Sequence, residues 1–233
     1  MTAVRVSAHG VIPPQAGSEL ALDTIRLGAG ASAAVGGADR DTLLFVFADG
    51  GTLSLGGEEH PLAAGSAALA VAGEEARLSA GPEGLAAVCA SIGSGADRHA
   101  PLGSQVTVVP IELVEAGKAT GKRSFQVLFG PHNGSTCATL FVGYIPPGRA
   151  PWHYHLYDEI VWVWGGAGRF HLESGVEELA PGSAFRLSPR EVHVVENLSP
   201  DEELAVLGIF TPAGSPSAAY LMPKVAAEYR FTG

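Results

Sequence analysis

The chain has 233 residues, with 24 acidic against 14 basic side chains and a formal net charge of −10. A nucleic-acid or anionic-membrane partner requires a concentrated basic surface, so this balance argues against both, and solubility is the plain reading of the charge. The 31 glycines and 16 prolines fit short strands joined by tight turns better than long helices, and two cysteines are too few for a disulfide framework or a thiolate zinc cluster.

The opening MTAVRVSAHGVIPPQAG lacks the apolar run of a signal peptide, and no later stretch is apolar for long enough to span a bilayer, so a cytoplasmic location is expected. In chain order, strands are expected at 43–47, 52–55 and 67–71, each closed by a glycine turn. A mixed polar, Gly and Pro junction follows over 98–120, with one apolar stretch able to add a strand. The pattern then returns with strands at 160–164, 169–172 and 184–187. Helical periodicity is weak everywhere except in the tail 215–228, which is expected to be helical. Short strands at such regular spacing predict an all-β sandwich or barrel.

The return is a repeat. DTLLFVFADGGTLSLGGEEHPLAAGSA at 41–67 aligns without a gap on DEIVWVWGGAGRFHLESGVEELAPGSA at 158–184, a constant offset of 117 residues. Ala/Gly-rich segments match by chance at scattered positions, whereas these matches hold register through two apolar runs and the turns between them, which favours duplication. The chain is therefore read as two similar domains, 1–105 and 106–233.

Before the second run stands PWHYHLYDE, residues 151–159. In an extended chain His153, His155 and Glu159 share a face, so two imidazoles and a carboxylate can meet at one point. His193, at the far end of the strand that follows Gly182, can reach the same point from a neighbouring strand. Three neutral imidazoles and one carboxylate suit one divalent transition metal, Fe or Mn first, with Ni, Cu or Zn as alternatives, and leave positions open for substrate. A lone histidine is more often a surface or satisfied core group, and His60, His99, His132 and His171 are read that way. For the convergent set the weighing reverses, because a buried glutamate needs a partner and a cation is the natural one.

These residues also carry a resemblance. Gly148 through His153, His155 and Glu159 to Gly166 resembles the first cupin motif, and Gly182, Ser188-Pro189-Arg190, His193 and Asn197 resemble the second, with Ser188 standing where a proline is usual and Arg190 where a glycine is usual. The resemblance covers the second half strongly and, through the repeat, the first half weakly. It implies an all-β bicupin of two tandem cupin-type β-barrels (double-stranded jelly rolls), with the metal held by His153, His155, Glu159 and His193. Subtracting 117 from the four ligands gives Gly36, Ala38, Thr42 and Ala76, none of them a good ligand, so the N-terminal barrel is expected to have lost its site.

Glu159, Val161 and Val163 share the inward parity, which leaves Ile160, Trp162 and Trp164 needing a cover: the other domain, a partner subunit of a homodimer, or both. Arg149, Arg186 and Arg190 are candidates for a carboxylate clamp, and Asn197 and Glu191 for hydrogen bonds that orient a histidine. The expected function is a metal-dependent enzyme acting on a small oxygen-bearing organic molecule, with a dioxygenase first. The alternative is Lewis-acid isomerase, decarboxylase or lyase chemistry needing a general acid or base, for which Tyr154, Tyr157 and Glu191 are the catalytic candidates, with His171 beside them. A non-enzymatic binding protein ranks last.

Overall fold

The computed structural model describes residues 6–119 and 122–222. In chain order the strands are β1 (Leu20–Leu27), β2 (Ser32–Val35), β3 (Arg40–Leu55), β4 (Glu58–Ala63), β5 (Ser66–Ala70), β6 (Ala76–Gly93) and β7 (Val108–Pro110), followed by the 3-10 turn Ile111–Leu113. Then come β8 (Gly117–Lys118), β9 (Ser124–Phe129), β10 (Thr139–Ile145), β11 (Gly148–Arg149), β12 (His153–Tyr154), β13 (Asp158–Gly165), β14 (Gly168–Leu172), β15 (Gly175–Leu179), β16 (Ala184–Leu187), β17 (His193–Asn197), β18 (Leu204–Thr211) and β19 (Tyr220–Leu221). The described residues contain no α-helix, and no helix among them is long and apolar enough to cross a membrane. Of the tail expected to be helical, the part through Met222 forms turns and β19, and 223–228 lie outside the described residues.

The first seven strands form one sheet in the order β1-β6-β3-β5-β7, with β2 on β6 and β4 on β3; the later strands form two six-stranded sheets, β16-β13-β18-β10-β9-β8 and β15-β14-β17-β12-β19. The junction thus contributes β7, which pairs with β5. All named pairings are antiparallel, which gives two tandem jelly-roll barrels.

The repeat is written into the ladders themselves. Thr42↔Ala70 through Phe45↔Ala67 in β3·β5 recur at the offset of 117 as Glu159↔Leu187 through Trp162↔Ala184 in β13·β16. Gly51↔Leu62 through Leu55↔Glu58 recur as Gly168↔Leu179 through Leu172↔Gly175. The shared glycine has a steric cause: a Cβ at Gly51 would lie 2.0 Å from the Ser79 carbonyl oxygen, and one at Gly168 would lie 2.5 Å from that of Glu196. In both halves a strand crosses its neighbour too closely for any side chain.

Alternation along the strands sorts the apolar residues into three cores. Leu44, Val46, Leu53 and Leu78 fill the first barrel, and Val161, Val163, Phe170 and Phe185 fill the second. The third core lies between the barrels and joins Leu20, Leu43, Phe45 and Val88 to Leu140, Ile160, Trp162 and Ile209. The N-terminal half is therefore a cover for the outer face of β13. Phe45 meets Trp164 edge-on at 5.0 Å between centroids, and Phe47 meets Trp162 at 4.9 Å. Because Phe45 and Phe47 are the repeat counterparts of Trp162 and Trp164, exchanging the halves converts one contact into the other, and the interface has an approximate two-fold. Asp41 and Asp158, also counterparts, pin its edges: Arg98 holds Asp41 through two bonds of 2.9 and 3.1 Å while the Cys137 thiol donates to it, and Arg186 holds Asp158 at 3.0 Å beside Ser18.

Candidate metal centre

The two motifs come together where the two C-terminal sheets meet. His153 on β12 lies directly opposite His193 on β17, while Glu159 points inward from β13 in the facing sheet. His155 falls just past β12, in the loop that leads into β13. Backbone bonds fix this loop, since the Arg190 N–H donates to the His155 carbonyl at 2.6 Å and β19 pairs with β12 on its other edge.

His153, His155 and His193 are all buried, and one ring nitrogen of each lies within 4.8 Å of those of the other two. Ring centroids are 5.1 Å apart for His153 and His155, 4.5 Å for His153 and His193, and 5.0 Å for His155 and His193. Burial pushes the imidazoles down, His153 to about 2, His155 to about 3 and His193 to about 4, with the nearby Arg123 guanidinium acting the same way on all three and His193 on the other two. All three are neutral at pH 7. The Pro151 carbonyl lies 2.8 Å from His153 Nδ1 and the Glu191 carbonyl 2.9 Å from His193 Nδ1. A carbonyl can only accept, so Nδ1 carries the proton on both rings and Nε2 keeps its lone pair. That is the tautomer a metal ligand needs, and the donor set therefore fits a divalent transition metal.

Glu159 is placed beside this group rather than in it. Its Oε2 stands 3.7 Å from His155 Nε2, and burial pushes its carboxyl up to about 8, opposed by Arg123. Gly208 on the adjacent strand makes room for it, since a Cβ there would lie 3.0 Å from Glu159 Oε1 and 2.2 Å from the Phe141 ring.

A cavity of about 90 Å³ opens onto the three imidazoles and Glu159. Tyr157 lines it, stacked on His155 at 4.6 Å and on Phe210 at 4.0 Å, its phenol held protonated by burial and by the Glu159 charge. The other sequence candidates stand elsewhere. Tyr154 stacks on Tyr220 at 5.3 Å outside the cavity. The Glu191 carboxylate accepts from the Ser188 N–H at 3.1 Å, while its carbonyl serves His193. Asn197 donates to the Ile145 and Glu202 carbonyls and accepts from the Ser199 N–H, so its amide is spent on backbone groups.

The arginines also divide. Arg149 lies over Trp152 at 5.1 Å and Arg186 is committed to Asp158 and the Leu20 carbonyl, so neither lines the cavity. Arg190 holds the turn before His193 with φ of 67°, the left-handed conformation for which the usual glycine is suited. Arg190→Gly is expected to raise stability by about 0.5–1 kcal/mol in urea unfolding, the relief of left-handed strain less the added entropy of an unfolded glycine. A loss of stability would show that the arginine side chain packs to some purpose there.

Among the cavity-lining residues that sequence reasoning missed are Arg123, Phe125, Phe141 and the tail residues Pro216, Ser217 and Ala219. The only hint was GKATGKR at 117–123, a basic stretch in an acidic chain. Likewise the sequence offset gives Gly36 as the counterpart of His153, but the ladder gives Val35. Gly148↔Asn197 and Arg149↔Glu196 shift by one residue before His153↔His193, whereas Ser32↔Ser79 runs straight to Val35↔Ala76. A bulge in the second half accounts for the difference.

Residues 141–210 match the family model described as cupin domain. No curated protein matches the chain. Among solved structures, a Pseudomonas aeruginosa protein described as glyoxylate-induced aligns with TM-score 0.71 at 15% identity over 85% of this chain and 78% of its own. Oxalate decarboxylase of Bacillus subtilis, studied for its Mn(II) centres, aligns with TM-score 0.71 at 14% identity over 93% and 74%. A structure of that decarboxylase at pH 4.6 aligns with TM-score 0.68 at 14% identity over 92% and 73%. The span that matches the cupin model, 141–210, includes all three clustered histidines.

Proposed function

We propose that this protein is a metal-dependent enzyme acting on a small oxygen-bearing organic molecule in the C-terminal cavity, with dioxygenase chemistry as the first reading. The observation that carries it is the convergence of three buried neutral imidazoles on the wall of a mostly apolar cavity. His153, His155 and His193 would hold the metal, and Glu159 would ionise beside it and lower the net charge. Iron or manganese in that place supplies a Lewis acid that can also change oxidation state. The Mn(II) centres of the structurally similar oxalate decarboxylase support keeping manganese beside iron.

The chain's own groups divide the remaining work. Carbonyls of Pro151 and Glu191 hold two rings in the ligand tautomer, and the walls built by Phe125, Phe141 and Val206 exclude water. Tyr157 keeps its proton and can donate a hydrogen bond to a substrate oxygen. That proton favours a second reading, non-oxidative isomerase, decarboxylase or lyase chemistry, because such a step needs a placed acid. We further read 1–105 as a cupin without ligands and 106–233 as the metal-binding one. Neither Val35 or Gly36 nor Ala38, Thr42 and Ala76 offers the donors of the second half.

Metal analysis of untagged protein purified anaerobically, beside the His153→Ala, His155→Ala double variant, tests this. About one iron per chain, absent from the variant, with oxygen uptake on candidate phenols, diketones or keto acids, is the expected result. Manganese, nickel or zinc without oxygen uptake moves the chemistry to the second reading, and metal retained by the variant removes the site altogether.

A further inference from the structure

His153 and His193 each find an acceptor for the Nδ1 proton two residues back along the chain, at the Pro151 and Glu191 carbonyls. His155 has no such local partner. Its ring is buried, yet its Nδ1 closes no hydrogen bond. A buried ring nitrogen left in that state is costly, and nothing local fixes which nitrogen carries the proton.

The C-terminal tail passes over this gap, fastened at both ends. Upstream, the Thr211 hydroxyl donates to the Cys137 carbonyl at 2.7 Å and His99 Nε2 donates to the Ala213 carbonyl at 2.7 Å. Thr139 Oγ1 both donates to the Gly214 carbonyl and accepts from its N–H, each at 3.0 Å. Downstream, β19 pairs with β12, the Tyr220 ring stacks on Tyr154, and the Met222 N–H donates to the Trp152 carbonyl at 3.3 Å. Between these anchors the chain arches in local turns, with the Ala218 N–H on the Ser215 carbonyl and the Ala219 N–H on the Ser217 carbonyl.

Pro216, Ser217 and Ala219 line the metal cavity from this arch. The Ala218 backbone, between them, draws the His155 pKa upward against the push of burial, which is the effect of a carbonyl facing a ring N–H. His155 Nε2 lies on the Glu159 side, 3.7 Å from its carboxylate, so Nδ1 is the nitrogen left to be held. Building on the metal-dependent reading above, we propose that the tail is a clasp that positions the third ligand: Tyr220, stacked on Tyr154, holds the arch across the cavity so that the Ala218 carbonyl takes the Nδ1 proton of His155 and leaves Nε2 for the metal. Ser215, Ser217 and Ala218 are exposed and their own bonds are local, so the arch can close onto the ring without disturbing the barrel. All three rings are then oriented by main-chain carbonyls, two of them local and one brought from the far end of the domain.

Long-range proton–nitrogen NMR of the imidazoles in metal-free protein at pH 7 reads the tautomers directly. In the wild type all three rings are expected in the Nδ1–H form. In Tyr220→Ala, His155 should move to a mixture of both tautomers, whereas His153 and His193, whose acceptors are local, stay as they are. Tyr220→Phe keeps the stacked ring and should behave as wild type. Manganese titration of the same proteins should show roughly tenfold weaker binding in Tyr220→Ala alone, the lower end for losing a group that orients a ligating histidine. Tyr220 is 47% exposed, so the barrel core is expected to survive its loss, and matching thermal melts check this.

A wild-type His155 with its proton on Nε2, a tautomer unmoved in Tyr220→Ala, or His153 and His193 shifting together with His155 would each overturn the clasp. Because the tautomers are read without metal, the two readings fail separately. A Tyr220-dependent His155 in a protein that takes up no manganese would keep the clasp and remove the metal. Manganese bound equally well by wild type and Tyr220→Ala, with His155 unmoved, would keep the metal and remove the clasp.

Discussion

Metal-free protein is expected to lose stability steeply in mild acid, by about 2.7 kcal/mol per pH unit between roughly pH 4.5 and 5.5. The sign follows from where the protons sit. Unfolded, the three site histidines titrate near the usual 6.5 and Glu159 near 4.5, whereas folded they titrate at about 2, 3 and 4 and at about 8. Well below pH 6.5 the unfolded chain therefore binds three protons at the histidines that the folded chain refuses, while the folded chain holds one extra proton on Glu159. The difference of two favours the unfolded state progressively as pH falls. Above about pH 7 the histidines fade and Glu159 dominates with the opposite sign, so stability declines only gently, by under about 1 kcal/mol per unit towards pH 8, and the optimum lies near neutrality.

Accumulated over two units, the acid loss is about 5 kcal/mol, a large share of the stability of an ordinary domain. Urea unfolding at pH 5.0, 5.5, 6.0 and 6.5 measures it. His153→Ala removes one of the refused protons and should flatten the slope by about 1.4 kcal/mol per unit. An unchanged slope in the variant would mean that the acid lability arises elsewhere. Metal should steepen the pH dependence, because ligation requires the same imidazoles neutral and expels the proton from Glu159.

The legible part of the site was the part encoded in local spacing. His153, His155 and Glu159 share parity along the chain and His193 follows at a fixed place in the next strand pair, so the cluster could be assembled on paper. The repeat was equally plain, because side-chain alternation preserves register and a slipped register would have turned each apolar set to the wrong face. What stayed hidden depends on long-range closure. Arg123 precedes His153 by a whole strand pair and enters the cavity only because β9 joins β10 at the barrel's edge. Ser217 and Ala219 line it because the tail returns to pair β19 with β12, and nothing local in that sequence marks it as a strand.

The cover over the tryptophans shows the same division. Parity along β13 placed Ile160, Trp162 and Trp164 on the outer face and required something apolar to meet them, without deciding between the other domain and another subunit. The structure answers with the N-terminal sheet, at a core shared by both halves. That choice lets one experiment connect the interface to the site.

Phe45→Ala is expected to cost about 3–5 kcal/mol, the range for a large aromatic removed from a core that cannot fully collapse. Phe45 is wholly buried, packs edge-on against Trp164, and lies in the core shared with Ile160 and Trp162. The loss should not stop at stability. β13 carries Ile160 and Trp162 on the face toward the N-terminal half and Glu159 on the face toward the histidines, so a cavity beneath the strand lets Glu159 shift relative to His155. Calorimetric unfolding together with a metal titration reads both effects: lower stability and weaker metal binding in Phe45→Ala, but weaker metal binding without the interface loss in Glu159→Gln. Phe45→Leu, which keeps most of the volume, should recover much of both. A loss below about 1 kcal/mol in Phe45→Ala would show that the halves are held by the hydrogen bonds that cross between them, Cys137 to Asp41 and Ser18 to Asp158, rather than by the shared core.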